Sequence, residues 1–483
     1  MDVNERKRRY IEVVPSARRL IESFRNLGYN FVRAVADIVD NSIQAGAREI
    51  DIDMKFDGEN SWVRIADDGK GMTAGELTEA MRFGTEREYS PGELGKFGLG
   101  LKTASISQCR RLTVASRAAN GGEEIEVRRL DLDEIAESNK WEITDIPSWQ
   151  CSRELIGPLK EHHGTVVFWD FLDRMLKYKL SSGKAAANGF NKMARELEAH
   201  LGAVFHRFIS GELGDGRKII ITLNGNKIEP WDPYARSEGS TLQLPKISLK
   251  MAGEEGEYVV VCTPYVLPTR DNFSSAEAFE RSAGINGWTP QQGFYIYREN
   301  RLIQNGGWNG IRVPDEHSKL ARIALDFTHD ADQDIGLDIR KASVNLPQNL
   351  KEAILPTVTR VVGLAEKIYR SGDKVDLAAM PGWEGKPNKS ATDQPAGTAG
   401  APSQPNTEGL SAVIKRIDEQ RAIIMRTARE LGVGPAPEKE GTTGTLSDSL
   451  ERAAQKVGET VALHRIRDAL KADDPEAAKK IGW

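Results

Sequence analysis

Apolar positions change their period several times along the chain, and each change marks an element. After Ser16, residues Leu20, Ile21, Phe24 and Leu27 recur at three- and four-residue steps. That spacing predicts a helix with Ser16 as its cap and Gly28 as its stop. Val32, Val35, Ala36, Val39 and Ile43 repeat the pattern and predict a second helix. The period then falls to two at Ile50, Ile52 and Met54, followed by Trp62-Val63-Arg64-Ile65, so two strands are expected. Between Thr73 and Leu94 the apolar anchors thin out, and Gly84, Pro91 and Gly92 interrupt the chain. This segment is expected to be a mobile loop or lid.

Strand patterns return at Leu112-Thr113-Val114-Ala115 and Thr165-Val166-Val167-Phe168. A long amphipathic helix follows, with Phe190, Met193, Leu197, Leu201, Val204, Phe205 and Phe208 on one stripe. Strand-like stretches at 218–223, 258–262 and 293–297, then a helical signal at 350–368, predict a second α/β domain. From Gly382 to Glu408 the composition shifts to Pro, Gly, Ser, Thr, Asn and Ala, as in a flexible linker. Beyond it, Leu410, Ile414, Ile417, Ile424, Ala428 and Leu431, then Leu450, Val457, Leu463, Ile466 and Leu470, predict a small helical region, either for self-association or partner docking or packed back on the body. The expected domains are therefore 1–175, 176–375, a linker at 376–408, and helices at 409–483.

Composition narrows the class. At 39% hydrophobic and 28% charged residues, with no apolar run long enough to cross a bilayer, the chain reads as a water-soluble protein without membrane contact. Its start is basic but lacks an apolar signal core, and Cys109, Cys151 and Cys262 are widely spaced and odd in number. Both features fit a cytoplasmic protein with reduced thiols. A net charge of -5 argues against a grip on nucleic acid by the whole molecule, although residues 6–9 form a short basic arm.

Three polar stretches carry candidate chemistry. In the first, Asp37 and Asn41 are four apart on the second helix and share a face, where a carboxylate and an amide can position a water and a divalent ion beside a phosphate chain. Asp40, adjacent to Asn41, is expected to point to solvent. In the second, Asp67-Asp68-Gly69-Lys70-Gly71-Met72 follows a strand. Its glycines let backbone approach a ligand, and an acid at a strand end can accept a hydrogen bond from an exocyclic amine. In the third, Gly95-Lys96-Phe97-Gly98-Leu99-Gly100-Leu101-Lys102-Thr103-Ala104-Ser105 frees a run of backbone N–H groups before a helix, where phosphate is attracted. The Walker pattern and the Rossmann fingerprint are both absent. Taken singly, the three are an amphipathic helix, a turn and a Gly-rich loop.

In this order they resemble the N, G1 and G2 boxes of the GHKL ATPase superfamily, which includes gyrase B, heat-shock chaperones, histidine kinases, MutL and MORC proteins. Gly164-Thr165 resembles the closing box. The resemblance implies an α+β fold: a Bergerat-fold domain, its mixed sheet backed by helices, then an S5-like transducer domain and the helical tail. It implies ATP and Mg²⁺ as ligands, with Asn41 on the metal and Asp67 reading adenine. Ala45, Gly69, Gly71, Met72 and Thr165 would line the base. Lys96, Phe97, Gly98, Leu99, Gly100, Lys102 and Thr103 would follow the phosphates. Asp334-Ile-Gly-Leu-Asp-Ile-Arg-Lys341 resembles the MutL-type segment that brings a switch lysine to the γ-phosphate, and 295–303 resembles a MORC segment.

The implied activity is slow ATP hydrolysis by a clamp that dimerises on ATP, in a DNA-related or phage-defence process, with DNA or an effector protein as partner. Asp37 and Lys341 would be catalytic. Asp37 departs from the pattern, because most hydrolysing MutL and MORC relatives carry Glu there. Its carboxylate is one methylene short of the usual reach, roughly 2.6–3.2 Å, that a general base needs. Gln44 likewise stands where Asp is common. This keeps open a non-hydrolysing, ATP-gated scaffold that recruits a partner through the C-terminal helices. A histidine kinase is disfavoured because the first histidine is His162.

Overall fold

A computed structural model describes residues 15–26, 29–84, 100–120, 124–176, 182–214, 216–253, 256–336 and 344–371. The predicted linker and C-terminal helices lie outside the described residues.

Helix α1 (Ala17–Arg25) begins at Ser16, whose side chain accepts the Arg19 amide, and α2 (Phe31–Gln44) begins at Asn30, which accepts that of Arg33. Strands β1 (Glu49–Lys55) and β2 (Trp62–Asp67) pair antiparallel, so Ile50, Ile52, Val63 and Ile65 alternate into the core. Helix α3 (Ala74–Met81) comes next, then α4 (Gly100–Ile106), β3 (Arg111–Arg117) and β4 (Glu126–Asp131). They are followed by α5 (Leu132–Ser138), β5 (Thr144–Asp145), α6 (Arg153–Ile156) and β6 (Gly164–Asp170). Helices α7 (Lys184–Val204) and α8 (His206–Ser210) lead into β7 (Ile220–Leu223) and β8 (Asn226–Lys227).

These strands form one mixed sheet in the order β5-β4-β3-β6-β2-β1-β7-β8, with β1 and β7 parallel. Helices α2 and α7 back it, and Ile38, Val39, Trp169, Phe190 and Leu201 meet in its core.

Two expectations are corrected here. The chain from Thr73 is not loop throughout: residues 74–81 are helical. Thr73 and Glu76 form a reciprocal capping box, and Leu77 and Met81, one turn apart, are buried. Residues 85–99 lie outside the described residues. The boundary expected at residue 175 also moves. Helix α7 lays Phe190, Leu197 and Leu201 into the first core, β7 adds an edge to β1, and Ile228 closes that core. Read as a segment alone, an amphipathic helix does not say which sheet its stripe covers.

The second sheet holds β9 (Leu242–Gln243), β10 (Ile247–Ala252), β11 (Glu257–Val266), β12 (Gly293–Arg298), β13 (Arg301–Asn305) and β14 (Ala321–Phe327). Its order is β10-β11-β14-β12-β13, with β9 on β11 and β12 parallel to β14. Helix α9 (Ala276–Ser282) flanks it, and α10 (Gln348–Ser371) packs Leu350, Ile354, Val358, Val361 and Ala365 against it at helical spacing. Strand β12 is buried along its whole length, as a central strand must be. It turns into β13 through Glu299 (φ 47°) and Asn300 (φ 67°), a two-residue reversal with both central residues left-handed.

A chain cut at residue 175 is expected to lose the helical cover of the first sheet and unfold without a cooperative urea transition. One ending at residue 230 should retain the transition. Within the full chain, Leu201→Ala should cost about 2–5 kcal/mol, read from the same curves.

Candidate functional site

The site is built where α2 ends and β2 ends. Asp67 closes β2, with Oδ2 accepting the Ser42 hydroxyl at 2.7 Å and Oδ1 the Gly69 amide at 3.0 Å. The carboxylate is thereby fixed to α2 on one side and to the following turn on the other. Gly69 has no room for a side chain: a Cβ there would lie 2.8 Å from the Ala45 Cβ and 2.9 Å from Asp67 Oδ1. The Lys70 amide donates to the Ala45 carbonyl at 3.0 Å, docking the turn on the end of α2. Asp68 faces elsewhere, its Oδ1 accepting the amides of Arg48 and Glu49 at 2.7 and 2.9 Å. Of two adjacent aspartates, one serves the cleft and the other ties down the turn into β1.

The far wall comes from β3 and β6. Ser116 Oγ accepts the Met72 amide at 2.9 Å, donates to the Gly164 carbonyl at 2.9 Å, and lies 3.0 Å from Thr165 Oγ1. Asp67 and Thr165 are register partners across β2 and β6. Gly164, at φ +144°, presses so close that a Cβ would fall 1.9 Å from the Asp67 carbonyl oxygen. His163 Nδ1 meets the Gly69 carbonyl at 2.7 Å and braces the turn from behind. Asp67, Gly69, Gly71, Met72, Ala45 and Thr165 are thus gathered at one place.

Burial dominates the titration of Asp67 and pushes it up from the usual carboxylate range to about 6. The bonds from Ser42, the Gly69 amide and the Thr165 backbone pull the other way. Near neutral pH the group is an ionised acceptor, held by oriented donors in a poorly hydrated recess.

Along α2, Asn41 is exposed, while Asp37 and Asp40 are buried at 6% and 1% exposure. The expectation that Asp40 points to solvent is therefore corrected. Its Oδ1 accepts from Arg301 Nε at 2.8 Å, and Arg301 Nη2 lies 3.8 Å from Asp37 Oδ1. The three-residue offset sets both acids on the helix face that meets β13, a strand the local sequence does not announce. Lys102, expected along the phosphates, is 1% exposed, and its ammonium donates to the carbonyls of Ala80, at 2.9 Å, and Arg82 at the end of α3. Burial lowers it to about 8, against the opposing pull of Glu79. Gly100 and Thr103 open α4, with Thr103 buried. Lys96, Phe97, Gly98, Leu99 and Lys341 lie outside the described residues.

Ser42 and Ser116 were missed by sequence reasoning. Ser42 sits four residues after Ile38 on the buried stripe of α2, and Ser116 lies in the buried middle of β3. A polar residue on a buried stripe was the available signal.

No cluster of three or more His, Cys, Asp or Glu suited to a metal occurs among the described residues. The donor set fits a divalent ion carried in by a phosphate ligand and touched by the Asn41 amide, not one caged by protein alone.

Residues 29–165 match the family described as histidine kinase-, DNA gyrase B-, and HSP90-like ATPase. Over 393 residues the chain is 40% identical to the DNA mismatch repair protein MutL of Rhodospirillum rubrum, covering 77% of this chain and 53% of that protein. It is 42% identical over 88 residues to MutL of Aliivibrio fischeri, 17% of this chain and 13% of the relative. ATPase morc-1 of Caenorhabditis elegans is 32% identical over 84 residues, 17% of this chain and 10% of that protein. The chain spans about half the length of the Rhodospirillum relative and less of the others.

In carbon-detected NMR the Asp67 carboxyl is expected to titrate near pH 6. Ser42→Ala removes a bond that favours the ionised form, so the midpoint should rise. A midpoint near 4 in the wild type, or no rise in the variant, contradicts this account of the recess.

Proposed function

Residues 29–165 form a histidine kinase-, gyrase B- and HSP90-like ATPase domain, and from that premise we propose that the chain binds ATP and hydrolyses it slowly as a conformational clamp. The observation that carries the reading is the Asp67 carboxylate, fixed by Ser42 and Gly69 beside Thr165 above a turn that tolerates no side chain. An ionised, oriented acceptor of this kind selects an exocyclic amine, and adenine N6 has the required polarity. Ala45, Gly69, Gly71 and Met72 would shape the base slot.

Bound with the nucleotide, Mg²⁺ supplies charge neutralisation along the phosphates, with Asn41 as its protein ligand. Asp37 would take a proton from the water whose oxygen bonds to the γ-phosphorus as the bridging bond to ADP breaks. Lys341, from the second domain, would neutralise the charge developing on the γ-phosphate. Residues 96–100 and Thr103 would offer backbone and hydroxyl donors to the phosphate oxygens. Lys102 joins them only by leaving the end of α3.

ATP-dependent dimerisation completes the clamp, and the mismatch-repair proteins among its relatives favour a DNA transaction as its setting. No helix among the described residues is long and apolar enough to cross a membrane. A second reading, a non-hydrolysing ATP-gated scaffold, draws support from Asp37. Its carboxylate is one methylene shorter than the usual Glu, and it is buried, at 6% exposure.

Two measurements test the reading. Purified protein should turn over ATP slowly and dimerise with it. Asp37→Asn should lower kcat by about 10²-fold or more, Asn41→Ala should abolish Mg²⁺-dependent binding, and Lys341→Ala should remove turnover. Dimerisation on ATP with no turnover in the wild type selects the scaffold. Separately, ATP affinity should be flat above neutral pH and weaken below about 6 as Asp67 is protonated, approaching about tenfold per pH unit well below that point. Affinity unchanged down to pH 5 removes Asp67 from adenine recognition.

A further inference from the structure

The functional reading gives Arg301 no role, yet its side chain is 5% exposed and set between two acids of α2. It begins β13 at the edge of the second sheet, just past the tight turn at Glu299 and Asn300. Its cross-strand neighbour Arg298 is taken up by Asp332 at 2.6 and 2.7 Å, so the two opposed cations have separate acids. Arg301 Nε donates to Asp40 Oδ1 at 2.8 Å, and Nη2 stands 3.8 Å from Asp37 Oδ1. The guanidinium carbon lies 5.8 Å from the Phe205 ring centre. His200, on α7, is pushed down to about 4 by burial and by the guanidinium groups of Arg301 and Arg33, so it adds no cation at neutral pH.

Stability alone is a weak reason for such a pair. Removing an arginine and a carboxylate from water costs several kcal/mol, and well-packed apolar side chains often replace a buried pair without loss. What a planar, multidentate cation offers is geometry: it spans two carboxylates one helical turn apart and fixes their angle. One of those carboxylates is the short one on which hydrolysis would rest.

We propose that Arg301 is a positioning residue for the ATP site, anchored on Asp40 and orienting the Asp37 carboxylate, so that the second domain sets the hydrolytic geometry through α2. The proposal rests on the reading of Asp37 as general base. Arg301 touches neither nucleotide nor attacking water. It acts through Asp37 and holds the helix that carries Asn41 and Ser42 in one register. It thereby supplies a route from the second sheet to the site separate from the one assigned to Lys341.

The test uses the full chain and separates kcat from ATP affinity. Arg301→Met should lower kcat by about tenfold or more while the Kd for ATP, from fluorescent-nucleotide titration, moves by less than about threefold. Arg301→Lys should recover part of kcat, because a point charge can hold Asp40 but not both acids. The paired variant Arg301→Met/Asp40→Leu removes both buried charges and should melt at or above the wild-type temperature. Its kcat should stay low. Recovery of kcat along with stability makes Arg301 a structural strut and overturns the proposal, as does an unchanged kcat in a folded Arg301→Met chain. A wild-type chain that binds ATP without turnover removes the hydrolytic reading itself, and this inference with it. Wild-type turnover unaffected in Arg301→Met removes this inference alone.

Discussion

One carboxylate constrains the first domain more than any other group. Asp67 ends a strand inside a mixed sheet, where an ionised side chain is costly unless donors surround it. Ser42 and the Gly69 amide supply them. Each donor fixes an element: Ser42 sets the rotation of α2, and Gly69 sets the turn that locks onto Ala45. On the backbone side, Gly164 lies against the Asp67 carbonyl so closely that only a missing Cβ permits β6 to start there. Helix, turn and two strands are therefore mutually positioned by the demands of one acid.

How much of this was legible depended on whether a residue's role is local. The capped helices at Ser16 and Asn30, the alternation in β1 and the stripe at residues 350–368 follow from neighbours in sequence, and the structure has them where the period put them. The acid at 67 and the turn after it were readable because strand end and turn leave marks in residue type, whereas the glycines at 69, 71 and 164 prove to press on the protein's own chain, which residue type alone does not tell. Asp40 was misread for the opposite reason: its charge argued for water, but Arg301 lies 261 positions away. The carbonyls that hold Lys102 in this structure belong to a helix taken for loop. Misreading 74–81 came from weighting sparse apolar anchors and Gly84 over the capping box at Thr73 and Glu76, a strong local start signal.

Placement of α7 bears on how the two sheets communicate. Because that helix packs into the first core and is followed by β7, which pairs with β1, the first domain extends past the expected boundary and presents α2, α7 and α8 toward the second sheet. Several contacts there are polar. His206 meets the Tyr297 hydroxyl at 2.9 Å, Tyr234 donates to the same hydroxyl at 2.9 Å, and Arg207 lies 3.5 Å from the Tyr297 ring centre while pairing with Asp326. His206 is kept uncharged at neutral pH, burial driving it down to about 3. Directional contacts of this kind fix orientation where apolar contacts would tolerate sliding.

Such a junction suits an element that must report small changes. Helix α2 meets three environments along its length: the second sheet through Asp37 and Asp40, solvent through Asn41, and the Asp67 carboxylate through Ser42. A rigid helix cannot shift at one of these without shifting at the others, because each turn is only about 5.4 Å long. An apolar junction would let the second sheet creep without consequence for the carboxylate at 37. The buried arginine makes creep expensive, since moving it off Asp40 separates a buried cation from a buried anion. The same cost that makes the pair a poor stabiliser makes it a sharp two-position contact, engaged or broken, and that is the property required for one domain to license chemistry in another.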